Sequence, residues 1–178
     1  MQLKRRRVII AGSKDFEDYD FMKQKLDEYF GSEGGELVET IISGHAEGAD
    51  ILGERYAAEK GLPCSIFPAD WQKYGRKAGP LRNSQMLDYA YEGFPEVVAF
   101  WNGTSSGTYD TIKKARKKGI PCKVYICIPK NDLFRFEVCE VGEPDGSGEW
   151  WCIDHAFVEA EREYYAQMEK EGRADDVY

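Results

Sequence analysis

The chain of 178 residues has little that would mark an exported, membrane-spanning or metal-bound protein. Its longest apolar runs are four or five residues, such as 8–11, where a membrane-spanning helix needs about 20. The charged start, Arg5-Arg6-Arg7, leads into an apolar stretch that ends at Gly12, too short for the core of a signal peptide. The five cysteines (Cys64, Cys122, Cys127, Cys139, Cys152) are an odd set with no Cys-x-x-Cys pair, so the expectation is reduced thiols in a cytoplasmic protein. Cys64, Cys122 and Cys127 lie in or beside apolar strand-like runs, where cysteine serves as a small core residue. Cys139, Cys152 and His155 match no standard zinc spacing, and no metal is expected. An overall basic field is also missing. Net charge is -8, and the last 25 residues, from Asp154, hold eight acids against three bases. A near-neutral body with an acidic tail is a poor footprint for duplex DNA.

What is present is an ordinary globular composition, 42% hydrophobic and 31% charged. A chain of this length buries roughly 70% of its unfolded surface and needs no covalent staples. Residues 7–11 read as a buried strand closed by Gly12-Ser13. Phe21, Met22, Leu26, Tyr29 and Phe30 then recur at helical spacing, with Asp15 or Asp18 as cap. Gly34-Gly35 reads as a turn, and 37–42 as a second strand. Residues 49–60 read as a helix with Ile51, Leu52, Tyr56 and Ala57 inward, and 64–67 as a third strand. Residues 68–80 look irregular, 81–91 helical, 96–101 a fourth strand, 109–118 a helix and 123–128 a fifth strand. Strands alternating with helices over about 130 residues predict an α/β fold, a parallel sheet with helices on both faces. Beyond Pro129, Phe134, Phe136 and Val138 alternate with polar residues, a turn follows at 143–148, and 150–153 completes a β-hairpin before a charged helix over 156–171. The expected organisation is therefore a domain over 1–130, with 131–178 a hairpin and acidic helical extension packed on it.

In a parallel sheet ligands bind outside the carboxyl ends of the strands. Three such ends carry small-residue loops here. The first is Gly12-Ser13-Lys14. The second is Ser43-Gly44-His45-Ala46-Glu47-Gly48-Ala49-Asp50, where glycines admit close backbone approach and a helix begins just behind. Free N–H groups and the helix dipole favour an anion there, although a plain strand-to-helix turn has the same composition. The third is Asn102-Gly103-Thr104-Ser105-Ser106-Gly107-Thr108, which reads either as a second oxyanion cradle or as a capped turn. Two such loops at neighbouring strand ends favour phosphate or nucleotide binding over either plain turn. In 67–83, Lys73, Arg76, Lys77 and Arg82 interleave with Trp71 and Tyr74, a pattern that suits base stacking and phosphate contact or an ordinary surface loop. The Lys113-to-Lys118 basic run complements a helix C-terminus. His45 is a candidate acid–base group or a loop hydrogen-bonding residue.

Taken together, Gly12-Ser13-Lys14, residues 42–50, Phe67-Pro68-Ala69-Asp70-Trp71 with Lys73-Tyr74-Gly75-Arg76, Arg82-Asn83 with Met86, and residues 99–108 resemble the SLOG superfamily, in its YspA/YpsA-related branch. The resemblance spans about residues 7–128. It implies a Rossmann-like domain that binds a nucleotide or nucleotide-derived ligand, as a sensor or sequestering module. It also implies distant kinship with the Lonely Guy phosphoribohydrolases and the DNA-processing protein of natural transformation. Arg82-Asn83-x-x-Met86 resembles the hydrolases' Arg-Lys-x-x-Met. The place of their catalytic glutamate falls on Thr111, with Asp110 one residue early, and Asn102-Gly103 stands where they have Pro-Gly-Gly. The ligand-binding candidates are Gly12, Ser13, Lys14, Ser43, Gly44, His45, Gly48, Asp50, Trp71, Arg76, Arg82, Asn83, Asn102, Gly103, Thr104, Ser105, Gly107 and Thr108. A nucleotide-processing hydrolase is the alternative. It would use Arg82 on phosphate charge and Asp110, Asp50 or Glu54 as the carboxylate. A single-stranded nucleic-acid binder is the third reading, disfavoured by the acidic tail. The expected partner is a small nucleotide derivative, with no membrane, no further cofactor assigned, and self-association left open.

Overall fold

The computed structural model describes residues 5–31, 37–130, 135–137, 140–144 and 150–152. Nine strands and five α-helices are found among them. The strands β1 (Arg6–Gly12), β2 (Val38–Ser43), β3 (Cys64–Ile66), β4 (Phe94–Trp101) and β5 (Cys122–Ile126) form a parallel core in the order β3-β2-β1-β4-β5. This is the expected α/β sheet. Strands β8 (Glu140–Pro144) and β9 (Trp150–Cys152) extend it antiparallel beyond β5, making seven strands. Strands β6 (Ile128–Lys130) and β7 (Arg135–Glu137) pair separately. The hairpin is therefore β8–β9. Residues 135–137, expected in its first strand, fold back on 128–130 instead. The expected turn at Gly34-Gly35 and helix over 156–171 lie outside the described residues.

Alternation along the strands splits the core into two layers. Val8, Ile10, Val98, Phe100 and Tyr125 face α1 (Tyr19–Phe30) and α2 (Ala49–Lys60). Ile9, Ala11, Val97, Ala99, Trp101 and Val124 face α4 (Ala78–Tyr91) and α5 (Ser106–Lys117). The central strands are covered on both sides, which explains their near-continuous apolar sequence. Each fully buried large side chain contributes about 1.5–3 kcal/mol. The helix boundaries follow from local chemistry. Asp18 caps α1 by accepting from Phe21 N at 2.9 Å, and Gly61 ends α2 in the left-handed conformation.

Three local expectations are corrected. Ile51 faces outward, 39% exposed, because α2 lays Ala49, Asp50, Gly53, Tyr56 and Ala57 on the sheet, with Gly53 seated against Ile10. Cys64 is exposed because β3 is an edge strand, whereas Cys122 and Cys127 are buried, with thiol pKa values pushed up by burial. Residues 68–80 are largely helical. Asp70 caps a single turn, α3 (Trp71–Tyr74), a 3-10 turn follows at Gly75–Lys77, and α4 starts at Ala78. Pro80 is tolerated in the first turn of α4, where a missing N–H loses no helical hydrogen bond.

Candidate functional site

The chain runs outward from β1 through β2 to β3, then crosses back so that β4 lies on the other side of β1. The β1–β4 boundary is thus the switch point of the sheet, the place where open α/β sheets form a crevice at their carboxyl edge. Ser13 fastens this point. Its N–H donates to Phe100 O at 2.9 Å, and its carbonyl accepts from Ala49 N, the first residue of α2, at 3.3 Å. Its hydroxyl accepts from Asn102 N at 2.9 Å. Asn102 in turn shapes the entry to α5. Its Oδ1 accepts from Thr104 N at 2.9 Å, Thr104 Oγ1 at 3.2 Å and Ser105 N at 2.8 Å. Its Nδ2 donates to both oxygens of Asp15, at 3.0 and 3.1 Å. Ser105 then caps α5, its Oγ accepting from Thr108 N at 3.5 Å and lying 3.0 Å from Thr108 Oγ1. Two twelve-residue helices therefore start from one residue, α2 directly and α5 through Asn102. A side chain added at Gly107 would meet nothing within 4 Å, so the first turn of α5 is open.

Gly48 and Gly44 are required for different reasons. Gly48 has φ of 77°, and a Cβ there would run into the carbonyls of Ser13 and Lys14. Gly44 faces inward. A Cβ there would collide with the Arg82 guanidinium and stand 2.7 Å from Asp50 Oδ2. Its smallness serves an internal clamp. Arg82 Nη1 donates to Gly44 O, and Nε donates to Asn83 Oδ1 at 3.0 Å. Arg82 Nη1 also lies 3.7 Å from Asp50 Oδ2, with the two side chains 11% and 6% exposed. Burial raises the Asp50 carboxyl from 3.8 to about 6, against the pull of Arg82 and the backbone N–H groups of Ala46 and Gly12. Asn83 continues the chain of contacts by donating from Nδ2 to Gly107 O at 3.2 Å and Asp110 Oδ2 at 2.9 Å. The β2–α2 loop, α4 and α5 are thereby tied together.

The sequence candidates fall into three sets. Gly12, Ser13, Gly48, Asn102, Thr104, Ser105, Gly107 and Thr108 gather at the switch point, with Gly103 in the same turn at φ of 82°. Ser43, Gly44, His45, Asp50, Glu54, Arg82, Asn83 and Asp110 form the adjoining polar network. Lys14, Trp71 and Arg76 are exposed, and Trp71 lies over Gly79. Among the described residues no carboxylate pairs with Lys14, Arg76 or Lys77, so these cations are available while Arg82 is internally engaged. Asp110 holds Asn83 and Lys114 Nζ, the latter at 2.8 Å. Thr111 is buried and donates to Gly107 O at 3.3 Å. Asp15, expected only as a helix cap, leaves that role to Asp18 and holds Asn102 instead. Its partner Asn102 is 87 positions away, and no local pattern signals the pair.

Among the described residues, no group of His, Cys, Asp and Glu is placed to hold a metal, and no helix is long and apolar enough to cross a membrane. Cys139 and His155 of the weighed zinc trio lie outside the described residues. Residues 6–74 match the model of the YspA, cpYpsA-related SLOG family. Over 122 residues the chain is 36% identical to the "Gene 61 protein" of Mycobacterium phage D29, which takes in 65% of this chain and 93% of that relative. No solved structure matches the chain.

Proposed function

The chain belongs to the YspA, cpYpsA-related SLOG family, and from that premise we propose that it binds a nucleotide or nucleotide-derived ligand at the carboxyl edge of its sheet. The observation that carries the reading is the Ser13 hub at the switch point, from which α2 and α5 both start. Two helix N-termini bring partial positive charge to one place, the arrangement that suits a phosphate. Lys14 stands in the same loop, with no carboxylate partner among the described residues, and is suited to a phosphate oxygen. Exposed Trp71 and Tyr74 offer ring faces to a base. Residues 1–130 are the binding unit.

The direct test is native mass spectrometry of the purified chain for a retained nucleotide, followed by thermal shift with AMP, ADP and larger nucleotide derivatives. A ligand at about 100 times its Kd stabilises the fold by about 2.7 kcal/mol. A chain that carries no nucleotide, and whose Tm none of these compounds moves, refutes the reading.

A hydrolase reading is favoured by one feature, the Asp50 carboxyl raised to about 6 at the head of α2. Perturbed carboxyls cluster where proton transfer occurs. Release of free base from AMP that is lost on Asp50→Asn would make the protein an enzyme rather than a binding module.

A further inference from the structure

We propose that His45 is a ligand contact positioned by Glu54, its imidazole held by the Nδ1 edge so that Nε2 is offered to a phosphate oxygen. The inference rests on the nucleotide-binding reading and adds to it a side chain and the part of the ligand it meets.

His45 follows Gly44 at the carboxyl end of β2. Among the described residues it is the only non-glycine at positive φ, 56°. Glycine occupies that conformation without steric cost, and an L side chain does not. Such strain persists where the surroundings over-determine it, and it concentrates at functional sites. Here the surroundings are polar and directed. His45 Nδ1 lies 3.0 and 3.2 Å from the two Glu54 oxygens. Ser43 Oγ donates to Glu54 Oε1 at 2.7 Å and accepts from His45 N at 3.0 Å. The one Ser43 proton is shared between Glu54 Oε1 at 2.7 Å and the Asp50 carbonyl at 3.4 Å, and neither bond aims it at His45, so Ser43 and His45 are not a nucleophile–base pair.

Packing does not account for the strained residue. The imidazole is 51% exposed, so it buries little, and Glu54 already has the Ser43 hydroxyl as a partner. What the ring gains from Glu54 is orientation. A carboxylate on Nδ1 fixes that nitrogen as the proton-bearing edge and leaves Nε2 for another partner. Among the described residues nothing hydrogen-bonds Nε2. Glu54 of α2 is the charged group in contact with the ring, while Asp50 of α2 and Arg82 of α4 meet each other beside the neighbouring Gly44. With Nδ1 donating to Glu54, Nε2 meets a phosphate as the acceptor of a phosphate O–H or, on a doubly protonated ring, as a second donor to a phosphate oxygen.

The test uses the full chain. It has two histidines, so His155→Gln leaves a single imidazole for long-range nitrogen–proton correlation spectra. AMP and inorganic phosphate should each move the His45 Nε2 resonance, and adenosine should not. Loss of one charge-assisted hydrogen bond should weaken AMP binding by about tenfold to a hundredfold in His45→Gly. That variant should unfold at the same Tm as the wild type or higher, because a strained position becomes a permitted one. Glu54→Gln should shift the imidazole between tautomers as well as weakening AMP, which a purely structural Glu54 would not do. If the wild type binds AMP but Nε2 is unmoved, or His45→Gly binds as tightly, the inference is overturned and the nucleotide reading stands. A response to adenosine equal to that of AMP overturns the phosphate assignment. A wild type that binds neither AMP nor phosphate overturns both. The His155→Gln spectrum decides the contact even if His45→Gly fails to fold.

Discussion

Replacing Arg82 by methionine tests the clamp between the β2–α2 loop and α4. The side chain keeps an unbranched apolar stem but is shorter, and it loses the bond to Gly44 O, the bond to Asn83 Oδ1 and the charge beside Asp50. Breaking a buried pair on one side costs about 3–5 kcal/mol at neutral pH. Part of that loss depends on pH. The folded Asp50 pKa is about 6 against an ordinary 3.8, because burial raises it more than Arg82 lowers it. Between these values the native state keeps a proton that the unfolded state has released. Wild-type stability therefore falls as pH climbs through that window, by about 3 kcal/mol in all, and levels off above about pH 6. Without Arg82 the folded pKa rises further, so the fall continues to higher pH. The cost of Arg82→Met should then be larger near pH 7 than near pH 5, by about 1 kcal/mol. In an Asp50→Asn background the difference should vanish. Urea unfolding at both pH values in the four variants measures it. An equal cost at both pH values, or a pH dependence that survives Asp50→Asn, would refute the reasoning.

Gly48→Ala should destabilise by at least about 2 kcal/mol in urea, since it combines a positive φ with collision against two carbonyls. Gly107→Ala should leave the fold as stable or gain up to about 1 kcal/mol of helix propensity, yet weaken AMP binding, measured by calorimetry. Asp27 is raised by burial but held down to about 2 overall by Lys23, Lys60 and Tyr56, so it stabilises above the unfolded pKa of 3.8 and loses that contribution as pH falls toward 2. Being about a third exposed, it should cost only about 1 kcal/mol as Asp27→Asn at neutral pH, read by thermal unfolding. AMP incubated with the wild type should release little or no free base by chromatography, because Asp110 is committed to Asn83 and Lys114 and Thr111 cannot act as a carboxylate.

The parallel core was legible because its signals are local. Residues 8–11 and 97–101 are continuous apolar runs, as strands covered on both faces must be, and Gly31, Gly61 and Gly119 mark helix ends. Residues 68–80 misled because Pro68, Gly75, Gly79 and Pro80 read as loop punctuation, whereas Pro68 precedes the cap of α3, Gly75 joins α3 to the 3-10 turn, and Gly79 and Pro80 lie in the first turn of α4. The orientation of Ile51 depended on how closely α2 could approach Ile10 over Gly53, a matter of packing that spacing alone does not encode. The loops of the site were readable from their glycines and hydroxyls. Their wiring was not: Arg82 and Gly44 are 38 positions apart, and Asn102 and Asp15 are 87.

That wiring changes what Arg82 would do for a ligand. By resemblance to the hydrolases it was expected to meet phosphate directly, yet its guanidinium is turned to Gly44, Asn83 and Asp50. A group so engaged would have to break contacts within the protein before it could bind an anion, and the surplus left for affinity would be small. Among the described residues Lys14, Arg76 and the N–H groups of Ser106 and Gly107 at the start of α5 carry no such cost. Two ways of losing affinity are then distinguishable. Substituting a direct phosphate contact should weaken phosphate-bearing ligands and spare adenosine. Substituting Arg82 loosens the β2–α2 loop against α4 and should weaken every ligand of the crevice alike, in step with the loss of stability.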